Sequence, residues 1–119
     1  MTAVKLNLPP IEKGATYSHV VYWRAADGTT PINLTNCSAK MQIRETVDSV
    51  AVLGELSTTN GRLIITGSTG KIELTIAATD TEDLIAFKNA VYDLEVYFPQ
   101  KTIRLIEGKV TIKEEVTRG

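Results

Sequence analysis

A glycine-rich run near the middle of the chain, TGSTGKIELT over residues 66–75, has the composition of a loop that binds phosphate. A phosphate-binding P-loop needs a glycine, four residues, and then Gly-Lys followed by Ser or Thr. Counting back from Gly70, the first glycine falls on Ile65, and the hydroxyl position is occupied by Ile72. The flanking residues alternate as strands, whereas a P-loop leads into a helix N-terminus. We therefore predict a hairpin turn and no bound nucleotide.

The other reactive side chains are few and scattered. His19 is the only histidine and Cys37 the only cysteine, and no spacing of His, Cys, Asp and Glu fits a zinc or calcium site. A nucleophile needs a base and an orienting group, so we expect a half-buried strand histidine and an inert thiol. Asp80, Glu82 and Asp83 resemble paired glycosidase acids, but a helix N-terminus explains their charge. The sequence predicts a protein that is not an enzyme and holds no metal and no cofactor.

These side chains lie in segments that alternate apolar and polar residues, as strands with one buried face do. The clearest are SAKMQIR, KIELTIA and VYDLEVYF, and turn-forming pairs such as Asp-Gly and Asn-Gly separate the alternating runs. The predicted strands are 4–8, 15–25, 38–45, 52–57, 62–66, 71–77, 90–98 and 102–113. The phase of the alternation changes near Leu105 and Ile106, which predicts a β-bulge.

One segment, ATDTEDLIAF, breaks the alternation. Thr79 precedes Glu82 by three residues, the spacing of a capping box, and Leu84 and Phe87 would share one helical face. We predict a short helix near 79–88 that closes one end of the fold. The predicted fold class is mainly β: an antiparallel β-sandwich, immunoglobulin-like or jelly-roll-like, with this one helix.

Size and charge restrict the classes of partner. The 119 residues suit one domain with one core. The net charge is -1 and the basic residues are scattered, which argues against nucleic acid and anionic membranes. The sequence shows neither a bilayer-spanning apolar run nor a signal-peptide core. Because Pro9 and Pro10 cannot extend a central strand, we predict an extended arm over residues 1–14 and a single sandwich domain over residues 15–119.

The segment NAVYDLEVYFPQKTIRLIEGKVTIKEEVTR resembles the closing hairpin of small bacteriophage and prophage virion proteins. INLTNCSAKMQIRETV and LSTTNGRLIITGSTGKIELTIAATDT precede it in the same order of parts, so the similarity covers about residues 15–118. Those proteins are small β-sandwich domains, similar to the N-terminal domains of phage upper baseplate proteins. The resemblance implies a structural subunit of a phage tail, baseplate or fibre attachment, or alternatively a capsid decoration protein. It implies a protein made in the bacterial cytoplasm and located in the virion, with other phage structural proteins or further copies of itself as partners.

Candidates for the assembly interface are apolar or aromatic side chains that the sandwich core does not need. They lie in the arm, in the least patterned loop and on the outward face of one strand: Leu6, Leu8, Ile11, Val47, Val50 and Tyr97. A carbohydrate-binding module is the alternative from another class. Since adjacent strand residues face opposite sides, Tyr22 and Trp23 cannot form one stacking platform, and we expect Trp23 to pack in the core.

Overall fold

The structure, a computed structural model, describes residues 4–115; residues 1–3 and 116–119 of the predicted arm and domain lie outside the described residues. The strands are β1 Val4–Lys5, β2 Ile11–Glu12, β3 Tyr17–Tyr22, β4 Ser38–Arg44, β5 Gly54–Ser57, β6 Leu63–Thr66, β7 Lys71–Ile76, β8 Phe87–Phe98 and β9 Lys101–Lys113, and the helix is α1 Ala78–Thr81. The large sheet has the order β1-β9-β8-β4-β5, with β2 also beside β9, and the small sheet has the order β3-β7-β6. The predicted mainly-β sandwich is confirmed, with one difference: β1 and β2 pair in parallel with β9.

The core lies between the two sheets and follows from the alternation of the strands. A buried row crosses the large sheet through Leu56, Met41, Leu94 and Ile106. Ile72 and Leu74 of β7 are fully buried in the same cluster from the small sheet. Each such side chain contributes about 1.5–3 kcal/mol when it leaves water, so the period-two pattern decides which face of each sheet turns inward.

The predicted bulge in the last strand is confirmed. Leu94 pairs with Ile106, but the next residue, Glu95, pairs with Arg104, so Leu105 is the extra residue on β9. Both Leu105 and Ile106 are buried. Without the bulge, one of these two neighbours would face solvent, because consecutive residues of a regular strand point to opposite faces.

The predicted helix over 79–88 is much shorter than expected. It spans Ala78–Thr81, its N-cap is Ala77, and no side chain caps it, so the predicted capping box of Thr79 and Glu82 is wrong. The hydroxyl of Thr81, which is buried, instead accepts a hydrogen bond from the Gly14 N–H at 3.0 Å and so connects the helix to the segment before β3. β8 already begins at residue 87, so strand pairing overrides the local helical pattern.

The segment predicted to be an extended arm lies along the edge of the large sheet. The Leu6 N–H donates to the Glu107 carbonyl oxygen at 2.8 Å, and the Leu8 N–H donates to that of Lys109 at 3.0 Å. Leu8 and Ile11 are buried in the core of the chain itself. This corrects the prediction that Leu8 and Ile11 form an assembly interface, because neither side chain is accessible to a neighbour.

Two buried tyrosines hold this edge segment in place. The Tyr17 hydroxyl donates to the Pro9 carbonyl oxygen at 3.0 Å, and the Tyr92 hydroxyl donates to the Leu6 carbonyl oxygen. Burial raises the pKa of Tyr17 to about 12. Burial, and to a smaller extent the nearby Tyr17, also raises the pKa of Tyr92. Both bonds need the protonated hydroxyl, so the fold favours neutral tyrosines.

This coupling predicts a loss of stability at alkaline pH. An unfolded tyrosine has a pKa near 10, so the stabilisation is complete below about pH 10 and falls as the pH rises through about 12. For Tyr17 the loss amounts to about 2–3 kcal/mol. Urea unfolding between pH 9 and 12 measures it. The Y17F/Y92F double variant, less stable at neutral pH, should lose most of this dependence; equal slopes for the two proteins would contradict the assignment.

Candidate assembly surface

The loop between β4 and β5, residues 45–53, is held at its base by Arg44. One terminal guanidinium nitrogen, Nη1, donates to the carbonyl oxygens of Ser49 and Val50 at 2.6 and 2.9 Å. The other, Nη2, donates to the Gln42 side-chain oxygen at 2.7 Å. Because a guanidinium presents its donors in a rigid plane, this one side chain ties the middle of the loop to the end of β4.

A second set of hydrogen bonds orders the loop from within. The Ser49 hydroxyl accepts from the Thr46 N–H at 3.1 Å, and the Ser49 N–H donates to the Thr46 carbonyl oxygen at 3.1 Å. The Leu53 N–H donates to the Ile43 carbonyl oxygen at 2.7 Å and closes the base. The loop is therefore a hydrogen-bonded turn of defined shape, although its sequence shows no clear alternation.

This ordered loop carries the two most exposed large apolar side chains of residues 4–115. Val47 is 83% exposed and Val50 is 92% exposed. Single exposed apolar residues are ordinary on a protein surface. Here, however, two of them lie on one turn whose backbone is already fixed, so little conformational entropy would be lost when a partner covers them.

A groove of about 740 Å³ lies beside the loop on the outer face of the large sheet, and Val47 lines it. Its floor includes a row of successive strand partners that begins at Lys5 and continues through Glu107, Asp93 and Gln42. Four cationic and three acidic side chains line the groove in all. The surface next to the exposed valines is thus polar and nearly balanced in charge, which is the composition of an interface rim.

Arg104 pairs with two acidic side chains in this groove, one on the neighbouring strand β8 and one on its own strand β9. Arg104 lies 3.4 Å from an Asp93 oxygen and 3.9 Å from a Glu107 oxygen. Burial raises the pKa of Asp93, and the Arg104 charge acts in the opposite direction. Ion pairs this exposed contribute at most about 1 kcal/mol each, so they define the shape and charge pattern of the floor more than they stabilise the fold.

The remaining predicted interface residues are not brought together with the loop. Tyr97 is half-buried on the same outer face and donates to a Glu95 carboxylate oxygen at 3.1 Å. It pairs with Ser38 at the opposite end of β4 from the loop, about 20 Å away at roughly 3.3 Å per residue. Leu6 is partly exposed at the β9 edge. Of the six predicted residues, only Val47 and Val50 lie on the same loop and are both strongly exposed.

No protein-family model and no curated protein matches this chain. None of the helices in residues 4–115 combines the length and the apolar character that crossing a bilayer requires. Within that same range, no three His, Cys, Asp or Glu side chains lie together in a way that would hold a metal ion.

The glycine-rich run forms a turn between two strands, and His19 and Cys37 are both partly buried. Residues Gly67–Thr69 form a 3-10 turn that joins β6 to β7, as predicted for a hairpin. His19 is half-buried on β3, which confirms its predicted placement. Burial raises the pKa of the Cys37 thiol, which lowers the fraction of reactive thiolate.

The aromatic pair considered for sugar stacking is divided as predicted. Trp23 packs against the core and meets the Phe98 ring edge-to-face at a centroid distance of 6.0 Å. Tyr22 is exposed beneath the Arg24 guanidinium, which lies 5.1 Å from the ring centre. The two rings therefore do not form a common platform.

Sequence reasoning missed the role of Arg44 and the exposure of two residues on the small sheet, Val20 and Ile64. The position of Arg44 at the polar end of the SAKMQIR alternation, directly before the unpatterned loop, is the one signal that pointed to it. The apolar residue types of Val20 and Ile64 did not predict their exposure, because exposure depends on what covers the outer face of the sheet.

Proposed function

We propose that this chain is a structural subunit of a bacteriophage particle, a tail, baseplate or fibre-attachment component, that acts through protein–protein contacts. The observation that carries the proposal is the pair of exposed valines, Val47 and Val50, on a loop fixed by Arg44. A fixed apolar anchor beside a polar groove suits a partner that buries the anchor and lies across the groove.

The sequence resemblance to small virion β-sandwich proteins supports the particle as the setting. The fold agrees with what that resemblance implies, though a β-sandwich by itself serves many functions. Multi-copy particles also make weak contacts sufficient, because each additional contact of a multivalent assembly forms at high effective concentration. A neighbour that covers both valines and the adjacent groove would therefore be held firmly even if one contact alone were weak.

Replacing both valines with serine should weaken attachment to particles that lack the chain by at least about tenfold. Each buried valine contributes roughly 1.5–3 kcal/mol, and 1.4 kcal/mol corresponds to a factor of ten. The measurement is co-sedimentation of purified V47S/V50S protein with particles from a deletion phage. The I64S variant, which alters an exposed apolar residue on the outer face of the small sheet, is the matched control and should bind like the wild type.

Mass spectrometry of purified virions tests the setting separately. A fixed copy number of a few per tail would support a tail or baseplate subunit, whereas hundreds per head would support the capsid decoration alternative. Absence of the chain from the virions, or equal binding by the double variant and the wild type, would refute the proposed function.

A further inference from the structure

The first strand of the small sheet, β3, has one edge that the rest of the described chain leaves unpaired. On its other side it pairs with β7 over six residues. Directly after β3, the Trp23 N–H donates to the Gly70 carbonyl oxygen at 2.8 Å in the same register. Because backbone groups of alternate residues point to the same side of an antiparallel strand, the odd-numbered residues of β3 direct their N–H and C=O groups toward β7. The N–H and C=O groups of Ser18, Val20 and Tyr22 therefore point away from β7, toward the open edge.

This edge lacks the features that usually prevent pairing with another chain. Such features are charged side chains, proline, bulges and very short strands. The β3 sequence, YSHVVY, has no Lys, Arg, Asp, Glu or Pro, and its register is continuous. Among the described strands at sheet edges it is also the longest, since β5 and β6 have four residues each and β1 and β2 have two.

The core is also incompletely covered at this edge. His19 and Val21 point inward from β3 but are only half-buried, whereas their partners on β7, Leu74 and Ile72, are fully buried. On the outer face, Val20 and Tyr22 are exposed. A strand laid along β3 would pair the open backbone groups and cover apolar surface on both faces of the sheet.

We propose that the occupant of this edge is β3 of a second copy, paired antiparallel about a two-fold axis at Val20. This register places Val20 opposite Val20 of the other copy, Ser18 opposite Tyr22, and His19 opposite Val21, so that each open group meets a complementary one. The pairing forms about six backbone hydrogen bonds. It joins two three-stranded sheets into one sheet of six strands.

The charges near this edge do not oppose pairing with a second copy. On the outer face, the residue beside Val20 on β7 is Glu73, whose carboxylate lies 3.5 Å from the Lys71 ammonium. In the dimer the two Glu73 positions lie about 14 Å apart, three strand spacings. That distance exceeds the screening length of roughly 8–10 Å in physiological salt, so no unscreened repulsion opposes self-pairing.

This inference goes beyond the proposed function, because it concerns the purified chain alone and needs no phage particle. Sedimentation equilibrium over a wide concentration range should show a reversible species of twice the 13.0 kDa chain mass. The V20K variant places two like charges opposite each other at the two-fold axis and should weaken the dimer at least tenfold. I64K adds the same charge on the same face, two strands away in the same row, and should leave dimerisation close to that of the wild type.

Cross-linking tests the register without depending on the fold of the lysine variants. In a C37S background, V20C should form a disulfide-linked dimer on mild oxidation, because opposed residues of this kind lie about 5.5 Å apart at Cα, within disulfide range. I64C, two strands from the two-fold axis, should dimerise like the wild type without forming the disulfide link. A wild type that is monomeric at every concentration, a dimer that V20K leaves intact, or equal cross-linking of the two cysteine variants would overturn the proposal.

Discussion

Replacing Ile11 with alanine is expected to lower the free energy of unfolding by about 2–5 kcal/mol, because the side chain is fully buried. Ile11 lies in β2 and is the strand partner of Ile112, which is also buried. An arm that extended away from the domain would give almost no effect. Urea unfolding monitored by Trp23 fluorescence measures the change, since this ring packs against the core.

The matched control lies in the same arm. Val4 pairs with β9 as Ile11 does, but it is exposed, so V4A should change the free energy of unfolding by no more than about 0.5 kcal/mol. A large loss of unfolding free energy for I11A and a small one for V4A would show that the stability comes from burial of the side chain and not from strand pairing alone. If both variants were as stable as the wild type, the parallel docking of this edge segment would be wrong.

The sequence predicted the parts of the fold that depend on one-sided burial. In β4, in β7 and over Ala90–Val96 of β8 every second residue enters the core, so a period of two is visible without knowledge of the neighbours. The bulge at Leu105 was predictable for the same reason, because it restores the phase of two buried runs. These features depend only on neighbouring residues, so the local sequence pattern is sufficient to predict them.

The docking of the arm was not predictable in this way, because its partner is distant in sequence. The Asn7 side-chain oxygen accepts from the Lys109 N–H, across 102 residues. Gly108 allows the close approach: a Cβ there would lie 2.2 Å from the Leu6 carbonyl oxygen. Adjacent prolines indicated an extended conformation, but whether an extended segment projects or lies on a sheet edge depends on the topology.

The candidate site also combines features that the local sequence predicts with features that depend on contacts between distant segments. Val47 and Val50 were predicted as interface candidates because the sandwich core does not need their loop, and both are exposed. That the loop is ordered depends on hydrogen bonds from Arg44 and between Thr46 and Ser49, which composition does not reveal. The open β3 edge depends on strand order, which the alternation of β3 leaves undetermined.

The two proposed surfaces lie on different sheets and are compatible with each other. Pairing of two copies through β3 extends the small sheet, whereas the loop with Val47 and Val50 follows β4 of the large sheet. A dimer would therefore present two such loops related by a two-fold axis. Two anchors on one rigid body raise the overall affinity for a repetitive surface when its spacing matches theirs, so the V20K variant should also bind particles less avidly than the wild type.

Replacing Gly70 with alanine is expected to lower the free energy of unfolding by about 2–5 kcal/mol, the sum of two effects. The glycine has a φ of +68°, which costs an L-residue about 1–2 kcal/mol. An added Cβ would also lie 2.3 Å from the Trp23 carbonyl oxygen, and overpacking of this kind costs about 1–3 kcal/mol. The Trp23 carbonyl is not free to move, because it accepts from the Ile32 N–H at 3.0 Å.

Gly61 is the matched control for this effect. Its φ is +79°, yet a Cβ added there would have no neighbour within 4 Å, so G61A should cost only the conformational part, about 1–2 kcal/mol. The difference between the two variants in urea unfolding isolates the contact with Trp23. Equal losses of unfolding free energy in G70A and G61A would mean that the contact with the Trp23 carbonyl oxygen does not disfavour a side chain at residue 70. A larger cost for G70A would show that the glycine of the TGSTG run is needed to pack the hairpin against the strand beside it, a role in which no phosphate takes part.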